Sequence, residues 1–205
     1  EENPRVKWRF SAKHAGMAAI SIDCGIHAIN MACFVTDKKV IKVSSDFFSG
    51  IKSRELEDDN LTSFRMEGDI AGRLWTSGLA IGRTHGLTLQ VFGSKGGLSW
   101  KQEQPNQLFW TPLNEYSRII ERGHENLYES AKRSNKITIG HPEGMIAAFS
   151  NIYKDLFDVI SARKVDDTPN KLALTYPSVK DGCHSLEIVR AMKRSVSSDG
   201  CWTKV

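Results

Sequence analysis

No G-x-G-x-x-G run follows a strand pattern and opens a helix anywhere in these 205 residues, so the chain has no dinucleotide cradle of its own. No apolar run approaches the ~20 residues that span a bilayer, and no secretory leader is visible. Cysteine is scarce. Cys24, Cys33, Cys183 and Cys201 form neither a C-x-x-C pair nor a disulfide scaffold, which points to free thiols and a cytoplasmic setting. Cys24 and His27 make a lone C-x-x-H with no second ligand pair, so no metal site is expected. The net charge is +4, with lysine and arginine scattered in short pairs such as Lys38-Lys39, which argues against nucleic acid as a partner. There is no internal repeat or low-complexity linker. The opening Glu1-Glu2-Asn3-Pro4 lacks a methionine, which suggests a processed or trimmed product.

What is present is ordinary globular composition, 40% apolar and 25% charged, sufficient for a single domain over 1–205. Three segments have helical patterning: about 25–34, about 142–162 and about 178–196. The second has a stripe of Ile146, Phe149, Tyr153, Leu156, Phe157 and Ile160, and the third one of Leu186, Val189, Met192 and Val196. Pro142 suits a first helical turn. Between the first two lies a block of strand patterns: Val40 to Phe48, Leu61 to Glu67, Ile70 to Ser77, Leu87 to Phe92, Leu98 to Trp100, Gln107 to Trp110 and Tyr116 to Glu121. Gly68-Asp69 signals a hairpin, and tight turns imply antiparallel pairing. Residues 126–138 read as a loop. The expected fold class is α+β, a large, predominantly antiparallel sheet with helices packed on one face.

The chemistry concentrates in Asp23-Cys24-Gly25-Ile26-His27. Residues four apart share a helix face, so Asp23 and His27 can work together on a substrate hydroxyl. Asp23 is placed to cap the helix, and His27 is a candidate general base. Gly25 between them permits a close approach. Neither side chain can accept a hydride, which requires a cofactor. Two further candidates are Arg9, as a ligand for a substrate oxygen or simply a surface ion pair, and His141, which precedes a helix start in Gly140-His141-Pro142-Glu143-Gly144. Glu143 there complements the helix dipole. The run from Gly93 to Gly97 leads into a strand and reads as a hairpin turn, not a phosphate loop. Trp75, Trp100 and Trp110 fall in strands and read as core or interface residues.

Taken in order, Ile22 through Ala28, Gly86 through Glu103, Pro105-Asn106, His141 through Tyr153, and Tyr176-Pro177 with Asp181-Gly182 resemble the C-terminal domain of the Gfo/Idh/MocA oxidoreductases. The resemblance covers nearly the whole chain and implies a glyceraldehyde-3-phosphate dehydrogenase-like C-terminal fold. It also implies an NAD or NADP cofactor bound mainly by an absent N-terminal Rossmann domain, and substrates among sugars and polyols. Asp23 and His27 match the family's D-x-G-x-H run, implying substrate binding for Asp23 and acid/base catalysis for His27. The family's lysine, in a Glu-Lys-Pro context, is not in this chain. Cys24 and Ile26 depart from the family pattern, and the departure at Ile26 implies a reshaped pocket. A homodimer or homotetramer through the open sheet face is implied as well.

The leading expectation is the substrate-binding and catalytic half of an NAD(P)-dependent sugar or polyol oxidoreductase, inactive by itself. A non-catalytic carbohydrate- or protein-binding domain of the same descent is the main alternative. A hydrolase or isomerase using Asp23 and His27 without redox chemistry is a third.

Overall fold

The computed structural model describes residues 3–205 and divides into two compact units, one comprising residues up to Arg83 together with Val179–Val205, the other Thr84–Ser178. In the first unit, short helices α1 (Pro4–Lys7) and α2 (Ala12–Ala15) flank a 3-10 turn at Trp8–Phe10. A π turn over Ser21–Gly25 leads directly into α3 (Ile26–Thr36). Strands β1 (Val40–Phe48), β2 (Asp59–Met66) and β3 (Ile70–Ser77) follow as a meander, and α6 (Val179–Val196) and β8 (Thr203–Lys204) complete the unit. The second unit holds β4 (Thr88–Gly93), β5 (Gly96–Lys101), β6 (Gln107–Pro112), β7 (Arg118–Glu121), α4 (Glu129–Lys132) and α5 (Met145–Lys164).

The α+β class and the antiparallel pairing are as expected. The strands form two four-stranded sheets instead of one large one, in the orders β3-β2-β1-β8 and β4-β5-β6-β7. β1 and β3 have the limits expected for them. Gly68 at φ 73 and Asp69 at φ 60 turn the β2–β3 hairpin where it was expected, pairing Met66 with Ile70. In the first unit, α3 and α6 pack on one face of the sheet. Ile29, Val40, Val43, Phe64, Met66, Leu74, Ile188 and Met192 form the core. Phe64 lies over Gly72, its partner across the ladder; a Cβ there would come within 2.0 Å of the ring. The inward ridge of α6 is Ser185, Ile188, Val189, Met192 and Ser195, whereas Leu186 is exposed. Buried Ser195 joins helix to sheet: its hydroxyl accepts from Ser45 N (3.0 Å) and donates to the Cys201 carbonyl (2.7 Å).

The second unit differs in its burial. Among its described residues, Pro112, Val159 and Ala173 are the apolar side chains that are buried. Its sheet depends on Gly96, at φ 148, where a Cβ would meet the Thr111 carbonyl oxygen at 2.4 Å. Helix α5 starts at Met145, three residues after Pro142, and its expected core stripe faces outward. Asp155 and Val159 occupy the buried side instead. Arg133 holds that side, donating to Asp155 Oδ1 (2.6 Å) and to the Leu172 carbonyl (3.1 Å). Among the described residues, no helix is long and apolar enough to cross a membrane.

Candidate active site

The helix carrying Asp23 and His27 starts earlier than the sequence suggests. Ile26 N–H reaches back five residues to the Ser21 carbonyl, the spacing of a π turn. Such insertions are common at functional sites because they re-aim side chains without breaking the helix. Here Ser21, Gly25 and Ile29 point inward, and Asp23 and His27 share the outward, exposed side.

Asp23 is not the cap. The start of this helical segment is capped by buried Glu57, whose Oε1 accepts from Ala19 N (3.0 Å) and Ser21 N (3.1 Å). A carboxylate in that position satisfies orphan amides and meets the positive end of the helix dipole. Its neighbours in the acidic run also hold structure. Glu55 accepts from Ala12 N at the start of α2 (2.8 Å), and Asp58 binds Gly50 N (2.9 Å), Ile51 N (3.3 Å) and Arg54 (3.0 Å). Asp59 accepts from the Trp75 indole (3.1 Å). The sequence signal was the density of acids before β2, which resembles an ordinary solvated loop.

With capping supplied by Glu57, the Asp23 carboxylate is available for other contacts. It lies 3.2 Å from Arg9 Nε, an ion pair without hydrogen-bond alignment between two half-exposed side chains. Exposed pairs of this kind contribute about 0.2–1 kcal/mol, little enough for a substrate hydroxyl to displace. Arg9 also lies over Trp8, 5.1 Å from the ring centroid. Arg9 therefore joins Asp23 in one constellation, in the ion pair that was one of its two expected readings. His27 makes no hydrogen bond or ion pair among the described residues, so its ring nitrogens are available to an incoming group. Between them, Cys24 has its thiol pKa raised by burial and then by the Asp23 charge, with Arg9 opposing. It is held as a neutral thiol rather than a nucleophile.

Gly25 does permit a close approach, but to β3: a Cβ would stand 3.3 Å from Thr76 Oγ1 and 3.7 Å from Leu74 Cδ2. The glycine seats the π turn on the sheet and so fixes the platform for Asp23 and His27.

His141 belongs to the second unit, exposed on the rim of a cleft of about 600 Å³ lined by Gln104, Asn106, Arg122 and Glu143 among others. Its loop is pinned by Arg122, which donates to Asn106 Oδ1 (2.8 Å), to the Ile137 carbonyl (3.0 Å) and to the His141 carbonyl. Glu143 does not serve the helix dipole alone. Its Oε1 accepts from the backbone of Lys136 and Ile137 and lies 3.7 Å from Arg122 Nη1. The Asn106–Arg122–Glu143 clamp was not foreseen, because its members are far apart in sequence. Among the described residues, no group of three His, Cys, Asp or Glu side chains could hold a metal ion.

An α+β domain with an acid and a histidine exposed on a π-bulged helix is the class that fold and site define. Residues 1–99 match the GFO/IDH/MocA C-terminal domain. An oxidoreductase of Sinorhizobium meliloti is 34% identical, with a TM-score of 0.85 over 90% of this chain and 51% of that one. An inositol dehydrogenase homolog of Azotobacter vinelandii, solved with NAD+, is 29% identical, with a TM-score of 0.92 over 100% of this chain and 53% of that one. An uncharacterized oxidoreductase of Bacillus subtilis, YfiI, is 26% identical over 200 residues, 97% of this chain and 51% of that protein. The family match thus rests on residues 1–99, and the chain spans about half the length of the oxidoreductases it is similar to.

Proposed function

We propose that this chain is the substrate-binding and catalytic half of an NAD(P)-dependent oxidoreductase acting on a CH–OH group of a sugar, polyol or related carbohydrate. The observation that carries the reading is the pair Asp23 and His27, exposed on one helix face, with His27 unpartnered and Asp23 held only by a weak ion pair. Its setting supports it: an inositol dehydrogenase homolog superposes along the full length of the chain.

The residues of this chain do not fit a dinucleotide. Every ladder in both sheets is antiparallel, so the described residues form no β–α–β crevice with a helix N-terminus for a pyrophosphate. The hydride acceptor therefore belongs to a part of the enzyme outside these residues. What this chain supplies is proton handling and grip. His27 accepts the hydroxyl proton of an alcohol substrate, or returns one to the alkoxide in reduction. Asp23 accepts a hydrogen bond from a second substrate hydroxyl, with Arg9 released to a substrate oxygen or kept as its orienting partner. His141, on the rim of the cleft in the second unit, is proposed separately as a substrate-binding residue.

Assembly is proposed through the open face of the β3-β2-β1-β8 sheet, where Trp75 is 57% exposed and Leu61, its cross-strand partner, 55% exposed. Trp75→Asp should reduce the sedimenting species to a monomer, and an unchanged mass would remove that interface. The functional reading is tested by assaying the full natural polypeptide with NAD+ and NADP+ against a panel of polyols and sugars, following reduced nicotinamide by absorbance. Turnover with a member of the panel is expected. Absence of turnover throughout, with saturable sugar binding to this chain in calorimetry, would favour the non-catalytic alternative.

A further inference from the structure

Helix α5 is built inside out for an isolated domain. At 100° per residue, Met145, Ile146, Phe149, Ile152, Tyr153, Leu156, Phe157 and Ile160 fall within an arc of about 140°. Every one of them is exposed: Ile146 to 86%, Tyr153 and Phe157 to 68% each. No charged side chain enters that arc before Arg163. The opposite side is polar and occupied, with Asp155 paired to Arg133 and Asn151 donating to the Ser134 carbonyl (2.9 Å). These contacts fix the helix in this rotation, so it cannot roll its apolar side inward without breaking a part-buried ion pair. The exposed arc amounts to on the order of 800 Å², taking a large side chain as roughly 150–250 Å². One partner contributes about that area to a standard-size interface, and patches of this size on soluble proteins mark interaction surfaces.

We infer that the outward arc of α5 is the seat of the additional domain that the longer relatives carry. The relatives named above are about twice the length of this chain, which occupies 51–53% of them. A second block of similar size is therefore part of their architecture. A charge-free, five-turn arc suits a permanent intramolecular contact, since obligate interfaces are the more apolar ones. The same helix follows directly from the pinned His141 loop, so a domain seated on α5 would lie beside the cleft. That this occupant is the nucleotide-binding half rests on the proposed function. That the arc is covered does not.

The test is hydroxyl-radical footprinting of the 205-residue chain and of the full natural polypeptide, read by mass spectrometry at Met145, Phe149, Tyr153 and Phe157. All four should oxidise at least fivefold more slowly in the full polypeptide, at a protein concentration where sedimentation shows no added self-association. Smaller protection, or a natural polypeptide with no further domain, overturns the inference. So does a dimer of the 205-residue chain that protects these residues and is dispersed by Phe157→Asp, because a second copy is then the occupant. Protection without any dinucleotide-linked turnover leaves the docking surface standing and removes the functional reading. Turnover without protection does the reverse.

Discussion

Replacing Glu57 by alanine is the sharpest structural test of how the site is held. The carboxylate is buried and is the acceptor for two amides, those of Ala19 and Ser21 at the start of the segment that carries Asp23 and His27. Glu57→Ala leaves both amides without that acceptor. An unsatisfied buried donor costs about 1–3 kcal/mol, and loss of a helix cap alone about 0.5–2 kcal/mol. Two effects reduce the total: water can enter the space vacated by the side chain, and Oε2, buried without a partner, no longer has to be desolvated. The expected loss is therefore about 2–3 kcal/mol. Glu57→Gln keeps an acceptor for the amides and loses the charge facing the dipole, so it should cost roughly half as much. Urea unfolding measures both variants. Hydrogen exchange supplies the local readout, with the Ala19 and Ser21 amides exchanging faster in the alanine variant. An alanine variant within about 0.5 kcal/mol of wild type, or unchanged exchange at those two amides, would refute the capping assignment.

Two further predictions concern titrating groups. Cys24 has its thiol pKa raised by burial and by Asp23, against Arg9. At about pH 8, just below the ordinary thiol value, Asp23→Asn should increase the thiolate fraction and speed alkylation of Cys24, and Arg9→Ala should slow it. Equal rates in the three proteins would show that the Arg9–Asp23 pair does not act on this thiol. His184 in α6 has its pKa lowered by burial first and by Lys39 second, with Glu67 and Asp181 opposing. A histidine whose folded value is depressed takes up its proton more readily unfolded, so stability falls as pH drops below the unfolded value of about 6.5. His184→Gln should flatten that acid-side loss in urea unfolding between about pH 7 and pH 5, and an identical slope in both proteins would contradict it.

Much of the first unit was legible in the sequence because its determinants are local. The strand-forming runs Val40–Phe48 and Ile70–Ser77 mark β1 and β3, and Gly68-Asp69 carries the turn between β2 and β3. The acid and histidine at Asp23 and His27 stand out by spacing alone. What was not legible depends on groups distant in the chain. Asp23 looked like a cap because the acid that caps, Glu57, is 38 residues from Ala19. The π turn has no compositional marker, since it is set by how Gly25 seats against Leu74 and Thr76. The α5 stripe was visible as a stripe, but periodicity shows that a face is apolar and does not show what covers it. Continuous strand patterning likewise cannot reveal that eight strands fall into two sheets.

The central claim is that His27 moves the proton of the reacting hydroxyl. It is tested most directly by kcat for the full polypeptide and its His27→Gln variant, on whichever polyol or sugar turns over. A general base contributes about 10²–10⁴-fold. The account predicts a loss of that size with the substrate still binding. A variant that keeps its kcat within a few-fold of wild type would contradict it.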